Sequence, residues 1–275
     1  MFETVKAVFR LRWKYTIRYP GWFIVSIIIP IFFAILPIVL GWAVAGSPQN
    51  AALNFKMRVG TDQYTLYMLL GSGAWMLSIM VMWDFGMWIR EEQQMGTLEQ
   101  LLLTPANMFT VLLGSVLFQT AISLVQFAAT LIVGGLVFNV LDVLLSPSVA
   151  LAAVYLFLGI FPLTGFAMMI GGLVVKIKEA EGVIRLLQPF IAFLIGIFYP
   201  ITMMPYFIRM IAIVIPLTIS LQDMRAVLLH LEYVFNPYLD ILILLVYTAL
   251  WPMVGLSVYS FVEKRAKKEG TIGGY

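Results

Sequence analysis

Little in this sequence is suited to covalent chemistry. It holds one histidine, His230, and no cysteine. Disulfides and thiolate metal ligands are therefore excluded, and a histidine-based triad or metal site has almost nothing to draw on. No G-x-x-x-x-G-K-S/T run occurs, and Gly171-Gly172, set in apolar sequence, cannot serve as a phosphate loop. Charged residues make up only 11% of the chain, so a cluster of them stands out. That cluster is Arg90-Glu91-Glu92-Gln93-Gln94-Met95-Gly96-Thr97-Leu98-Glu99-Gln100, continued by Leu101-Leu102-Leu103-Thr104-Pro105. Its polar groups cannot sit in hydrocarbon, and its leucines gain nothing in free solution. The chemistry such a segment offers is recognition at a membrane surface.

The local signals within it are specific. Gly96 can end a helix in the left-handed conformation without a Cβ penalty. Thr97-Leu98-Glu99-Gln100 fits a capping box, with Gln100 reaching back to the cap amide. Leu98, Leu101 and Leu102 then share one face, away from Glu99 and Gln100. Thr104-Pro105 offers a further N-cap followed by proline at the first helical position. The spacing predicts helix stop, short helix, helix start. Residue types alone leave two readings open, a plain interfacial connector or a docking helix.

The elements that must position this segment are membrane spans. The chain has 275 residues, 62% of them hydrophobic, with a mean hydropathy of +0.98. A soluble domain is nearer 45–50% apolar, so the excess needs lipid. A helix needs about 20 apolar residues to cross the hydrocarbon core. The uncharged runs predict six spans near 22–45, 65–88, 107–137, 149–175, 184–203 and 239–261. Asn139, Asp142, Ser146 and Pro147 mark a short loop between the third and fourth. The segment 205–217, bracketed by Pro205 and Pro216, is too short to span and reads as a re-entrant or interfacial helix. The apolar runs are continuous, not alternating, which argues against a β-barrel.

Lys and Arg set the orientation. With six crossings, 13 of the 17 basic residues fall on the side of the two termini, and Lys56, Arg58, Arg209 and Arg225 on the other. Both termini and the 90–105 segment are thus expected in the cytoplasm. The N-terminal apolar run is too long for a signal peptide and contains Pro30 and Pro37, so cleavage is not expected. Residues 2–19 read as an amphipathic interfacial helix, with Phe2, Val5, Phe9, Trp13 and Ile17 beside Lys6, Arg10, Lys14 and Arg18. It is either a topology anchor or a helix that also contacts a cytoplasmic partner.

A few isolated residues are candidates for a pathway or dimer contact. Asp84 lies near the end of span two, where an ionised carboxylate costs less than the roughly 2.5–3.5 kcal/mol of the bilayer centre. It reads as an interfacial carboxylate close to Arg90 or as a polar pathway group. Asp240 opens the last span. Trp75 lies deep in span two, as a packed or lipid-facing aromatic or as a pathway lining. Gly71 and Gly73 on the same span can permit close helix approach. Arg209 reads as a snorkelling surface residue or as a headgroup or substrate contact. Arg225 follows Asp223 closely enough for a local charge pair. Lys176, Lys178, Glu179, Glu181 and Arg185 read as a solvated cytoplasmic turn.

The run from Glu92 to Pro105, with Gly96-Thr97-Leu98-Glu99, Leu101-Leu102 and Thr104-Pro105, resembles the signature of the type-2 (ABC-2) exporter permeases of ABC transporters. A second pattern is similar to the one that family carries between its last two spans: Gly196, Tyr199-Pro200, Met204-Pro205, Ile215-Pro216-Leu217-Thr218 and Arg225. The resemblance implies an all-α integral membrane fold over 1–275, a single permease domain. Its parts would be an N-terminal interface helix, six spans, a short cytoplasmic coupling helix and an outward-side re-entrant hairpin between spans five and six. It implies that Glu92, Gly96, Thr97, Leu98, Glu99, Leu101 and Leu102 dock on a separate ABC ATPase subunit. ATP and Mg would be held in that subunit, with no cofactor, metal or catalytic group in this chain. It also implies a second permease, as a homodimer or with a similar chain, in a plasma membrane, with no nucleic-acid partner. Trp75, Asp84, Tyr199 and Arg209 are the candidate pathway or dimer contacts. Drug-like amphiphiles, lipids and glycans all fit as cargo. Two other functions fit the residues less well. An ion-driven transporter would favour mid-span charge pairs and repeats, which are not evident. An intramembrane enzyme would need more than the lone histidine and scattered carboxylates.

Overall fold

The computed structural model describes residues 2–86, 108–174 and 180–269. Among these residues every regular element is helical. In order they are α1 (Phe2–Arg18), α2 (Pro20–Ala45), α3 (Pro48–Val59), α4 (Tyr64–Gly86), α5 (Met108–Phe138) and α6 (Leu141–Leu144). They are followed by α7 (Ser148–Val174), α8 (Ala180–Ile195), α9 (Tyr206–Ile213), α10 (Pro216–Leu229) and α11 (Pro237–Glu269). α2, α4, α5, α7 and α11 are long and apolar enough to cross a membrane, so this is a multi-pass membrane protein.

Punctuation residues set the boundaries as the sequence indicated. Pro20 occupies the first turn of α2, and Gly46 ends it in the left-handed region at φ 80°. Asn139, in the predicted loop, also has a positive φ of 55°. The connection after α2 carries a helix that the span pattern did not reveal. Ser47 caps α3 by accepting from the Asn50 amide at 3.1 Å, Pro48 starts it, and Gly60 ends it at φ 95°.

The fifth expected span differs from its reading. α8 has 16 residues and stops at Ile195. At 1.5 Å per residue it rises about 24 Å, short of a ~30 Å hydrocarbon core. Gly196 turns it off at φ 71°, and the chain passes through a 3-10 turn at Ile201–Met203 before α9. α9 and α10 then form a bent pair with 101° between their axes. That bent pair stands where the re-entrant hairpin is expected, and its second arm is longer than the sequence indicated, running to Leu229.

The core forms around α4 and α10. In α4, 83% of the apolar window is buried, against 17% in α11 at the periphery. Every residue of α10 is buried. α7 lies between α10 and α11, and two glycines bring α7 and α11 together. A Cβ on Gly165 would overlap the backbone of Trp251 and Pro252, and one on Gly255 would overlap Gly165. Small residues at such crossings gain backbone packing where lipid offers no hydrophobic drive. Between α2 and α5 the contact is polar. Gln126 donates to Ser26 Oγ at 2.9 Å, and Thr130 donates to the Ile27 carbonyl at 3.3 Å.

Candidate functional site

The break after α8 sets the central problem of the fold. α8 runs antiparallel to α4, with Arg185 over the Trp83 ring at 5.7 Å near one end and Ile197 against Gly71 at the other. Its end therefore lies beside Gly71, seven residues inside the start of α4 at Tyr64, about 10 Å down the helix. The last carbonyls of a helix have no intrahelical partner. Irregular backbone is tolerated at membrane depth only where protein groups satisfy it.

α10 supplies those groups from one face. Gln222 Nε2 donates to the Ile195 carbonyl at 3.2 Å and makes a weaker contact with that of Gly196 at 3.5 Å. Three residues on, Arg225 Nη1 donates to Gly196 O at 2.8 Å. Arg225 Nη2 donates to the Ile197 carbonyl and, at 3.0 Å, to the Tyr67 carbonyl of α4. Its guanidinium also lies over the Tyr67 ring, 3.6 Å from the centroid. Arg225 is fully buried, with no carboxylate in salt-bridge contact among the described residues. A planar fork of donors suits this task, because one side chain can address several carbonyls at once. It also places positive charge at the negative end of the α8 dipole.

The expected Asp223–Arg225 charge pair is therefore absent. Two residues apart on a helix, the side chains diverge by about 200°. Asp223 instead accepts from the Val234 amide at 3.3 Å, in the connection to α11. Arg209 donates to the carbonyl of the same Val234 at 3.2 Å, so it is a tether of α9 and not a free surface side chain. Asp240 accepts from the next amide, Phe235, at 3.1 Å, while Asn236 caps α11 through the Leu239 amide at 2.9 Å. Asp223 and Asp240 are both fully buried. Burial, together with these two carboxyls, pushes the phenol of Tyr233 in the same connection above its ordinary pKa. Three ionisable side chains thus hold 234–235 by backbone bonds and fix the hairpin to the head of α11.

The remaining candidates separate. Tyr199 lies in the break itself, half-buried, donating to the Phe193 carbonyl at 2.8 Å and so closing the turn. Trp75 packs edge-on to Phe33 of α2 at 4.2 Å between centroids, which makes it a helix contact and not an open lining. Asp84 is half-buried in the last turn of α4. Tyr199 and Arg209 belong to the hairpin region, and Trp75 and Asp84 do not. Glu92, Gly96, Thr97, Leu98, Glu99, Leu101 and Leu102, and with them Arg90, lie outside the described residues. No group of three or more metal-ligating side chains occurs among the described residues.

Sequence reasoning missed Gln222 and the buried polar ladder Gln119, Ser123, Gln126 and Thr130 of α5. The ladder was visible as polar residues at helical three- and four-residue spacing inside an apolar run. Gly71 was foreseen as a close-approach position, and it is one. A Cβ there would overlap the Ile197 carbonyl and crowd Arg225. Gly71→Ala is expected to push α8 off α4 and lower the melting temperature in detergent, by about 1–3 kcal/mol of overpacking. Gly182→Ala, with nothing within 4 Å of the new Cβ, is the control and should melt as the wild type.

A family model described as ABC-2 type transporter matches residues 3–229. The match takes in every described element from α1 to α10. A comparison with curated proteins finds no match.

Proposed function

Because the chain belongs to the ABC-2 type transporter family, we propose that this ABC transporter permease is the membrane subunit of an ATP-driven exporter, coupled through residues 97–103 to a separate ATPase. The observation that carries this is the family match over residues 3–229. Three features support the finer reading. These 275 residues hold no G-x-x-x-x-G-K-S/T phosphate loop, so an ATP site would lie outside them. The charged cluster at 90–100 stands between two spans on the side rich in Lys and Arg, which the positive-inside rule assigns to the cytoplasm. The hairpin meets α4 at Tyr67 and Gly71, toward the end of α4 away from that cluster.

In this mechanism ATP binding draws two ATPase subunits together, and the docked 97–103 segment carries that motion into α4 and α5. Transmission needs a two-state element that both sites bias. α8 is the natural one, because it is short and held at its end by side chains of α10. Two copies of the permease, or one copy and a similar chain, form the path. Apolar and aromatic walls favour a drug-like amphiphile, with lipid or glycan as the other cargo classes. Asp223 and Asp240 are buried, but they lie in the hairpin and in the first turn of α11. They do not form the mid-span charge pair that an ion-driven carrier would favour.

The test is co-expression of the chain with a P-loop ABC ATPase, sought first among the genes beside its own. The two are expected to co-purify and to hydrolyse ATP together, with no hydrolysis by the permease alone. Export that runs on an ion gradient with no ATPase bound would overturn the reading.

A further inference from the structure

α1 carries five cations, and four of them, Lys6, Arg10, Lys14 and Arg18, follow at strict four-residue spacing and are all exposed. Residues four apart on a helix form a single row. Among the described residues none of the four forms an ion pair, and Glu3 is the only carboxylate on the helix. The sequence placed Val5 on one ridge with Phe2, Phe9, Trp13 and Ile17. The structure divides that ridge. Val5 turns with Val8 onto α5, where both pack against Gly114, whose Cβ would sit 3.0 Å from Val8 Cβ and 3.1 Å from the Val5 carbonyl. Phe9 reaches Phe118 edge-on at 5.4 Å. Phe2, Trp13 and Ile17 stay exposed, at 76%, 48% and 62%. The exposed apolar ridge thus lies beside the protein contact, and the cation row lies beyond it, away from α5.

The depth of α1 follows from its attachments. Only Tyr19 separates its last residue, Arg18, from Pro20, the start of the span α2. Gly114 and Phe118 lie in the first turns of the candidate span that begins at Leu113. α1 is therefore held level with the same-side ends of two spans, at the boundary between hydrocarbon and headgroups. An apolar ridge at that depth enters the acyl region, and long basic side chains next to it reach back to the headgroups. A row of cations with no protein partner calls for anions there.

We propose that the Lys6, Arg10, Lys14 and Arg18 row of α1 is a binding face for anionic phospholipid headgroups, which fixes α1 in the membrane surface. The surface favours lipid over an acidic protein because the apolar ridge adjoins the row, so one planar surface meets both. The inference does not depend on the ATPase coupling or on cargo.

The full-length protein, solubilised and exchanged into nanodiscs of mixed phosphatidylcholine and phosphatidylglycerol, is assayed for the lipid it retains by mass spectrometry. Each basic residue near an anionic surface is worth about 1 kcal/mol, roughly five-fold in partition. Wild type is expected to enrich phosphatidylglycerol, with the enrichment falling as salt shortens the screening length. Lys6→Gln with Lys14→Gln is expected to reduce the enrichment about ten-fold or more, while Lys6→Arg with Lys14→Arg retains it. The glutamine pair leaves Arg10 and Arg18 to guide insertion, and its melting temperature in neutral detergent should match wild type. Equal enrichment in the glutamine pair, or none in wild type, overturns the proposal. So does a glutamine pair that keeps its lipid but no longer binds the ATPase subunit in detergent, which would assign the row to a protein.

Discussion

Arg225→Met is expected to be among the most damaging single substitutions in the described chain. The methionine fills much of the space but donates nothing, so the Gly196, Ile197 and Tyr67 carbonyls lose their shared partner. Each buried acceptor left unmade costs about 1–3 kcal/mol. Side-chain hydrogen bonds between membrane helices average nearer 0.6 kcal/mol, because the unfolded reference finds other partners. The end of α8 differs from that average case. Its carbonyls follow a helix break held beside Gly71, and α10 is the segment placed to meet them. A loss of about 2–4 kcal/mol is therefore expected, read as a lower melting temperature in detergent. Arg225→Lys should recover little, since one ammonium cannot address three carbonyls with the geometry of a guanidinium fork. Gln222→Leu should show a smaller loss, because Arg225 still covers Gly196. If Arg225→Met melts and assembles as the wild type does, the clamp has no energetic weight.

The second large effect is expected at the 97–103 segment. Glu99→Ala with Leu102→Ala should release or uncouple the ATPase subunit while membrane insertion stays intact. A centrally placed docking side chain is worth about 2 kcal/mol or more when truncated. The pair should then weaken co-purification by at least ten-fold, and ATP hydrolysis by the complex should no longer respond to cargo. Insertion is set by hydropathy and by Lys and Arg placement, neither of which the pair alters. Normal association and normal coupling in the double variant would sink the docking role of 97–103. Arg225 and this segment test different links. The first reads the packing of the hairpin, and the second reads the contact that delivers force.

Much of the architecture was legible because a bilayer imposes simple rules. Long uncharged runs had to become helices, since each backbone group must find a partner inside its own segment. α2, α4, α5 and α7 follow those runs to within a few residues, α11 continues eight residues past its expected end to Glu269, and the expected loop at 139–147 contains the left-handed Asn139 and the short α6. Pro205 and Pro216 were legible as breaks because proline lacks a donor, whereas Gly196 stood inside the expected fifth span and its positive φ appears only in the structure. α8 was over-extended to 203 because hydropathy continues past Ile195, and apolar content does not report where a helix stops. α3 was missed because its own signals, Ser47, Pro48 and Gly60, lie in what composition read as a loop.

The sequence by itself determined the solvent, the order of the spans, the breaks around the hairpin and, through two motifs, the family. Those properties reside in local composition and spacing. Tertiary structure alone decided which polar groups meet. Arg225 stands two residues from Asp223 yet bonds to Tyr67, 158 positions away. Asp223 turns the other way, to Val234. The reason is that a buried charge takes the partner its burial brings, and burial is set by where α8 stops beside α4. No local pattern encodes that stopping point, because it results from α4, α8 and α10 packing together.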